Sequence, residues 1–346
     1  MHDSVTVVIP HYNAETLDEC LASVFEHSDV GLQVLVVDDG DNGLVLQRCL
    51  QRFPAVQVLR NKRNVGFSES CNRGLQMAQT PYAILLNDDT RVTSGWLDPL
   101  IEAAESEPAV AACQPKLLSP AEEGLFDYSG GAGGYIDAFG FTFCRGRLFA
   151  SVEHDEGQYD RAVPLFWACG SAIFLRLEAV RQVGLLDLDY FMHFEEIDLC
   201  WRLRLAGWRV AAVPASTVFH YGARSLPSDS FYKVYLNHRN NLVVLIKNLP
   251  ASRLLWLLPV RLLLELVASL QYLLRGRLAS TLAPPLGMLW LLSHPLALWR
   301  RRRSSRRLVI EEGDQRTDGV YSGSALLSYF LGGRRRSDEL IVEAAE

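Results

Sequence analysis

Four short apolar runs, at residues 5–9, 33–37, 56–59 and 82–86, alternate with stretches of helical spacing, and this alternation constrains the chain more than any other feature. Short apolar runs of this length, bounded by polar turns, are what strands buried on both faces require. Between the first two runs, Thr16 and Glu19 form a capping-box pair, and Leu17, Leu21, Val24 and Phe25 recur on one helical face. Residues 67–78 and 96–105 carry the same helical period. Strand, helix and strand in repetition predict an α/β protein with a doubly wound, Rossmann-like sheet, whose ligands sit beyond the carboxyl ends of the strands.

The texture then changes twice. Residues 117–163 include Gly130, Gly131, Gly133 and Gly134 and the aromatics Phe139, Phe141 and Phe143, which predicts a long loop or hairpin region. Regular structure resumes near Leu165, with a helix expected over 195–206, Gly207 as its stop and a last strand at 210–213. After Pro250, residues 254–274 are leucine-rich but contain Arg261 and Glu265, while residues 278–299 lack formal charge but contain Pro284, Pro285 and Pro295. A membrane-spanning helix needs about 20 predominantly apolar residues. Charge in one segment and proline in the other therefore favour interfacial or re-entrant helices over spanning or core helices. The arginine block that follows, Arg300 to Arg303 with Arg306 and Arg307, suits an anionic leaflet.

Bulk properties narrow the class. The formal net charge is −6, which argues against a nucleic-acid partner. Seven cysteines are scattered without CxxC spacing, which fits a reducing compartment and disfavours both a zinc knuckle and a disulfide framework. Residues 1–10 lack a basic region followed by a long apolar run, so no secretory signal is expected at this end.

Four segments concentrate chemistry. Val7-Val8-Ile9-Pro10-His11-Tyr12-Asn13 is a strand ending in a polar turn, and Val36-Val37-Asp38-Asp39-Gly40 is a strand ending in two carboxylates. A carboxylate there can accept from a pyrimidine imide or a ribose hydroxyl, although Asp-Asp-Gly is also ordinary turn chemistry. Leu85-Leu86-Asn87-Asp88-Asp89-Thr90 sets carboxylates at the end of a buried strand, where they need a partner or a cation. Hard oxygen ligands suit Mg²⁺ or Mn²⁺, with a helix N-cap as the plainer alternative. Finally, Glu195, Glu196 and Asp198 crowd a helix start. Asp198 and Arg202 form an i, i+4 pair, which leaves Glu195 or Glu196 as a candidate general base.

Together these segments resemble family 2 glycosyltransferases of the GT-A fold, and most closely the rhamnosyltransferase-like branch. The resemblance covers roughly residues 4–250. Arg63-Asn64-Val65-Gly66-Phe67 followed by Asn72-Arg73-Gly74 is similar to that branch's Asn-x-Gly-Phe…Asn-x-Gly signature, and Cys169-Gly170-Ser171 is similar to its acceptor-side loop. The resemblance implies that Pro10, Tyr12, Asn13, Asn64 and Gly66 line the donor, that Asp39 contacts the base, and that Asp88 lies near the ribose or phosphate. Asp89 would then be the principal metal ligand and His220 would complete the site. The branch's base usually stands second in a Glu-Asp pair, which points to Glu196, with Glu195 as the alternative. Arg239 and Asn240 suit phosphates or, equally, a surface or core-edge role.

The implied activity is inverting, metal-dependent transfer of one sugar from a nucleotide diphosphate to a polyprenyl-linked saccharide at the cytoplasmic membrane surface. Rhamnose from dTDP-rhamnose is the first expectation. A UDP-hexose donor or an inactive scaffold of the same fold is the alternative. The expected division is a catalytic domain over 1–250, divided near 115, then membrane-associated helices over 251–307 and a tail over 308–346. No Gln-x-x-Arg-Trp element marks a processive synthase, and no Gly-x-Gly-x-x-Gly turn marks a dehydrogenase.

Overall fold

The computed structural model describes residues 4–28, 32–40, 43–222, 230–310 and 316–345. Its strands are β1 (Val5–His11), β2 (Gln33–Asp38), β3 (Gln57–Arg60), β4 (Tyr82–Leu86), β5 (Thr90–Val92), β6 (Val110–Leu118), β7 (Gly134–Asp137), β8 (Thr142–Cys144), β9 (Arg147–Leu148), β10 (Ser151–Val152), β11 (Pro164–Leu165), β12 (Ala172–Arg176), β13 (Arg209–His220) and β14 (Val320–Tyr321). Nine of them join in one sheet of order β11-β13-β6-β12-β4-β1-β2-β3, with β5 added to β13. Every residue of β1 and β4 is buried, as their unbroken apolar runs require. Pairing is parallel from β3 through β2 and β1 to β4, then antiparallel at β12. The sheet is therefore mixed, and the second half is wound differently from the first.

The helices of the N-terminal part are α1 (Leu17–Glu26), α2 (Leu44–Arg52), α3 (Phe67–Met77), α4 (Asp98–Ser106), α5 (Leu177–Val183) and α6 (Glu195–Leu205). α3 packs closely on the sheet because residue 74 is glycine: a Cβ there would lie 2.2 Å from Val8. The β1–β4 ladder runs only from Val5↔Tyr82 to Val8↔Leu85, so the two strands part before Pro10. Pro10, which has no N–H to donate, thus stands where that ladder has already opened. The parting creates the crevice beyond the strand ends that open α/β sheets use for ligands.

The C-terminal part contains α7 (Phe231–Asn248), α8 (Ala251–Leu274), α9 (Leu278–Thr281), α10 (Ala283–Ser293), α11 (Pro295–Arg306), α12 (Ala325–Phe330) and α13 (Asp338–Ala345). Pro284 and Pro285 open α10 and Pro295 opens α11, where the first turn has no use for their missing N–H groups. They divide residues 278–299 into pieces too short to span a bilayer.

α8 is long and apolar enough to cross one by length and composition. Its buried residues, however, are Leu257, Arg261 and Glu265, a single i, i+4, i+8 stripe. Arg261 donates to the Phe139 carbonyl at 3.1 Å, to Asn241 at 2.6 Å and to Glu265 at 3.0 Å. Glu265 also pairs with His238 of α7. The two charges that counted against a spanning helix therefore face the protein. Leu255, Leu263, Leu266, Leu270 and Leu274 remain exposed, Leu263 by 62% and Leu274 by 78%.

The arginine block is divided in the same way. Arg301 pairs with Asp187 and Asp189, and Arg302 donates to the carbonyls of Ile246 and Leu249 at 2.6 and 2.7 Å. Arg300, Arg303 and Arg307 are exposed.

Residues 311–315 and 346 of the tail lie outside the described residues, but residues 316–345 return to the N-terminal part. There β14 pairs with β7 in a second sheet of order β10-β9-β8-β7-β14. Ser337 donates from both its N–H and its hydroxyl to Glu153 at 2.8 Å.

Candidate active site

The site forms where β1, β2 and β4 end. At the end of β2, buried Asp39 accepts from Asn61 Nδ2 and the Val65 N–H at 2.8 Å and from the Gly66 N–H at 2.9 Å. It thereby fixes the loop carrying Asn64, whose side chain accepts from the Gly66 N–H at 3.1 Å. Three donors leave an ionised carboxylate with further accepting capacity. Gly66 has φ +88°, and a Cβ there would sit 2.5 Å from the Phe191 ring. Only glycine meets both demands at once. Asn13 is left-handed at φ 55° and its side chain lies against Gly40, and half-exposed Tyr12 stands beside it.

The two acids after β4 have different surroundings. Asp88 is held by β1: His11 Nδ1 lies 2.7 Å from its Oδ2, and the Tyr12 N–H donates to the same oxygen at 3.3 Å. Asp89 is buried, and its Oδ1 has no hydrogen-bond partner although His220 Nε2 is 3.2 Å away. The antiparallel pairing of β5 with β13 matches Thr90 to His220, and the Tyr221 N–H donates to the Asp89 carbonyl at 2.9 Å. Backbone register thus brings Asp89 and His220 together across about 130 residues of chain.

Behind His220, Asp127 approaches Nδ1 at 3.0 Å, and its other oxygen accepts from the N–H groups of Ser129 and Gly130 at 2.8 and 3.1 Å. Burial would lower the His220 pKa, but Asp127 and Asp89 outweigh it and raise it to about 10. Among the described residues no group of three or more His, Cys, Asp or Glu forms a ready cage for a metal. An unpartnered buried carboxylate oxygen facing an imidazole nitrogen does fit a divalent cation that takes its remaining ligands from a diphosphate and water. Asp127 is then the carboxylate that would orient the imidazole.

Across the crevice, Glu195 and Glu196 open α6. The segment before them is unusual: Phe191, His193 and Phe194 all have positive φ, at 63°, 67° and 73°. Left-handed backbone costs about 1–2 kcal/mol per non-glycine residue, so something must hold it. Asn240 of α7 does so, donating from one amide to the carbonyls of Tyr190, Met192 and His193 at 3.2, 2.9 and 2.7 Å. Arg239 donates to the Asp189 and Tyr190 carbonyls at 2.8 and 3.2 Å and is buried under Trp290. It is not brought to the crevice, and of the positions expected for it the one it takes is at the core edge.

Asp198 is a structural anchor. Its carboxylate meets Arg202 at 2.7 Å, Lys247 at 2.8 Å and Asn248 at 3.0 Å. Burial would raise its pKa, but Lys247 and Arg202 lower it to about 2.

Glu196 is left without such partners, and its Oε2 bonds nothing. Burial raises its pKa to about 7, against the pull of backbone N–H groups at the helix start. Glu195 is pushed well above the carboxylate range by burial and by the Glu196 charge. The Cys169-Gly170-Ser171 loop connects the two halves of the site. The Asn87 N–H donates to the Ser171 carbonyl at 2.9 Å, and a Cβ on Gly170 would lie 3.7 Å from that of Glu196. A cavity of about 470 Å³ lies elsewhere, lined by Phe166, Trp201, Arg204, Arg253 and Arg316, and none of these carboxylates borders it.

Asp127 is the residue that sequence reasoning missed as part of the site, and Asn240, expected at a phosphate or at the core edge, acts instead on backbone. Asp127 lies in an Asp-x-Ser-Gly turn, which reads as ordinary loop chemistry. Asn240 was visible in His238-Arg239-Asn240-Asn241, but only the fold shows that its target is backbone.

Comparison with known proteins identifies the fold and the family. Two solved structures share the fold: GalNAc-T7 with UDP, GalNAc and Mn²⁺, and the mannosyltransferase PcManGT from Pyrobaculum calidifontis with GDP-Man and Mn²⁺. The first has TM-score 0.55 and 18% identity, over 70% of this chain and 48% of that one, so the present chain spans about half of it. The second has TM-score 0.51 and 15% identity, over 88% of this chain and 85% of that one. Among curated sequences, the N-acetylglucosaminyl-diphospho-decaprenol L-rhamnosyltransferase of Mycobacterium tuberculosis is 28% identical over 71% of this chain and 85% of its own length. Rhamnosyltransferase WbbL of Escherichia coli is 25% identical over 62% and 82%. The model of glycosyl transferase family 2 matches residues 6–182, more than half of the sequence, and the chain belongs to that family, with a GT-A-type fold and its closest character in the rhamnosyltransferase-like branch.

Proposed function

We propose that this glycosyltransferase moves a single sugar, with inversion, from a nucleotide diphosphate donor to a saccharide carried on a prenyl diphosphate. The observation that carries the proposal is the division of labour among its acids. Asp89 keeps an open oxygen beside His220, Asp88 is committed to His11 and Tyr12, and Glu196 stands apart with a pKa near neutrality, about 7. A cation bound by Asp89 and His220 would offset the charge that grows on the departing diphosphate. Glu196 takes the proton from the acceptor hydroxyl as that oxygen attacks the anomeric carbon from the face opposite the leaving group. Asn240 keeps the strained backbone before Glu196 in register.

Deoxythymidine diphosphate rhamnose is the donor we favour, because the mycobacterial and Escherichia coli relatives are rhamnosyltransferases. The test is a panel of nucleotide sugars, with and without Mn²⁺, against a short-chain prenyl-diphospho-N-acetylglucosamine. Transfer from dTDP-rhamnose with inverted configuration is expected. Transfer only from a UDP-hexose would replace the donor, and no transfer from any donor would make the chain an inactive scaffold.

The acceptor's lipid suggests peripheral attachment through α8. If its exposed leucines enter the interface, changing Leu263, Leu266, Leu270 and Leu274 to glutamine should abolish co-sedimentation with vesicles without disturbing the Arg261–Glu265 stripe. Replacing Arg300, Arg303 and Arg307 should cost about 1 kcal/mol of anionic-vesicle affinity each. That loss should be largest at low salt, where the attraction is least screened. A wild-type chain that stays in the supernatant with anionic vesicles would refute the membrane assignment.

A further inference from the structure

The returning tail turns three large apolar side chains outward. On its inner side α12 buries Ala325 and packs Tyr329 on Phe149, with ring centroids 5.1 Å apart. Leu327, Phe330 and Leu331, spaced i, i+3 and i+4, fall on the opposite side of the helix. Leu327 and Phe330 are half-exposed and Leu331 is exposed by 82%. The chain then turns at Gly333, φ +71°, and the Arg334 N–H returns to the Ser328 carbonyl at 3.0 Å. That turn sets Arg334 and exposed Arg335 beside the apolar triad, with the Arg335 guanidinium 4.2 Å from the Tyr329 ring centroid. Arg336 is paired with Asp338 at 2.9 Å, and Glu339 is exposed, so the surface is more apolar than charged.

This face continues the exposed one on α8. Trp256, Leu263, Val267, Leu270 and Leu274 are exposed and fall in one narrow stripe of that helix, opposite Leu257, Arg261 and Glu265. At the start of the stripe, Trp256 meets Phe139 edge-on, with centroids 6.4 Å apart. Arg261 donates to the Phe139 carbonyl and lies 3.8 Å from the Phe141 ring centroid. Phe141 in turn lies 6.5 Å from Phe149, and Phe149 lies 5.6 Å from Phe330. Half-buried rings on the hairpin thus carry the apolar surface from α8 to α12 without a polar break. Aromatic rings between apolar side chains, with arginine at the edge, suit the boundary between lipid headgroups and acyl chains.

We propose that α12 is a second membrane contact, setting Leu327, Phe330 and Leu331 into an anionic bilayer surface beside α8, with Arg334 and Arg335 at its headgroups. This contact rests on the peripheral attachment through α8 proposed above and adds a second point to it. One helix lying in the interface leaves the protein free to roll about the helix axis; a second contact fixes that rotation. The small sheet that carries the rings begins at Gly134, close after Asp127, so the same contact sets how the crevice faces a lipid-borne acceptor.

All seven cysteines are buried, so Leu331→Cys and Leu270→Cys can each be labelled on the full chain with an environment-sensitive nitrobenzoxadiazole fluorophore. On phosphatidylcholine vesicles containing phosphatidylglycerol, both labels should brighten and be quenched by brominated lipid. Combining Leu327→Gln with Phe330→Gln should weaken vesicle binding about tenfold or more, the scale of losing two partly buried apolar side chains. Arg335→Ala should weaken it about fivefold, and only where anionic lipid is present. A Leu270 label that responds beside a silent Leu331 label would overturn the second contact and leave the attachment through α8 standing. A responsive Leu331 label beside a silent Leu270 label would support α12 and refute the reading of α8. Silence from both would overturn both. A Leu331 label that responds to protein concentration without vesicles would make this face a contact between copies of the chain, which also overturns the proposal.

Discussion

Glu196→Gln is expected to lower transfer by a factor of about 10²–10⁴, the usual contribution of a positioned general base, while calorimetry finds donor binding nearly unchanged. The contrast with its neighbour makes the expectation specific. Glu195 is driven well above the carboxylate range by burial and by Glu196, so it carries its proton at neutral pH. Glu195→Gln replaces one neutral group by another of the same shape and should stay within a few-fold of wild type.

The wild-type rate should fall as pH drops through about 7, because burial raises the Glu196 pKa from 4.5 to about 7 and the base must be ionised to act. Stability should move the opposite way. A carboxyl whose folded pKa is raised gives its full contribution below the unfolded value and loses it as pH rises through the folded one. Glu196→Gln should therefore melt at higher temperature than wild type at pH 8 and at the same temperature at pH 4. An inactive Glu195→Gln beside an active Glu196→Gln would move the base by one residue.

What the sequence disclosed follows from how local each signal is. β1, β2 and β4 fall within two residues of the runs that announce them, because a strand buried on both faces cannot interrupt its apolar pattern. β13 was legible only over 210–213, although it runs to His220, because Pro214 and a register shift between Val213 and Thr217 break the period. That hidden half of the strand is what carries His220 to Asp89. The antiparallel insertion of β12 between β4 and β6 has no local signature, since both partners are distant in sequence. Neither has β14, a two-residue strand returning from the tail.

Charge misled in one informative way. Arg261 and Glu265 read as obstacles to crossing a membrane when counted by composition, but their four-residue spacing sets them on one stripe, and α7 supplies partners for both. The acids of the site were visible as types at strand and helix ends. Their roles were not, because what separates Asp88 from Asp89, or Asp198 from Glu196, is the set of donors that tertiary structure brings to each.

That difference carries the second large effect. Asp89→Ala should remove at least about three orders of magnitude of transfer, since it deletes the open carboxylate beside His220 that a cation could share with the donor diphosphate. A chelator should do the same to the wild-type protein, with recovery on adding Mn²⁺ or Mg²⁺. The more searching measurement is Mn²⁺ affinity against pH, in the presence of UDP and without turnover. His220 lies between Asp127 and Asp89, whose combined effect outweighs burial and raises its pKa to about 10. A metal needs the Nε2 lone pair, so binding must expel that proton. Affinity should then rise toward tenfold per pH unit between pH 6 and about 9. Asp127→Ala should flatten this slope by releasing the imidazole from one of its two anions. It should also weaken Mn²⁺ about 10–100-fold, the usual cost of losing the group that orients a metal-bound histidine. Asp127→Asn keeps an oxygen able to accept from Nδ1 and should lose less affinity while flattening the slope equally. A steep slope surviving in both variants would show that Asp127 does not govern the histidine, and full activity in chelator would remove the cation from the reaction altogether.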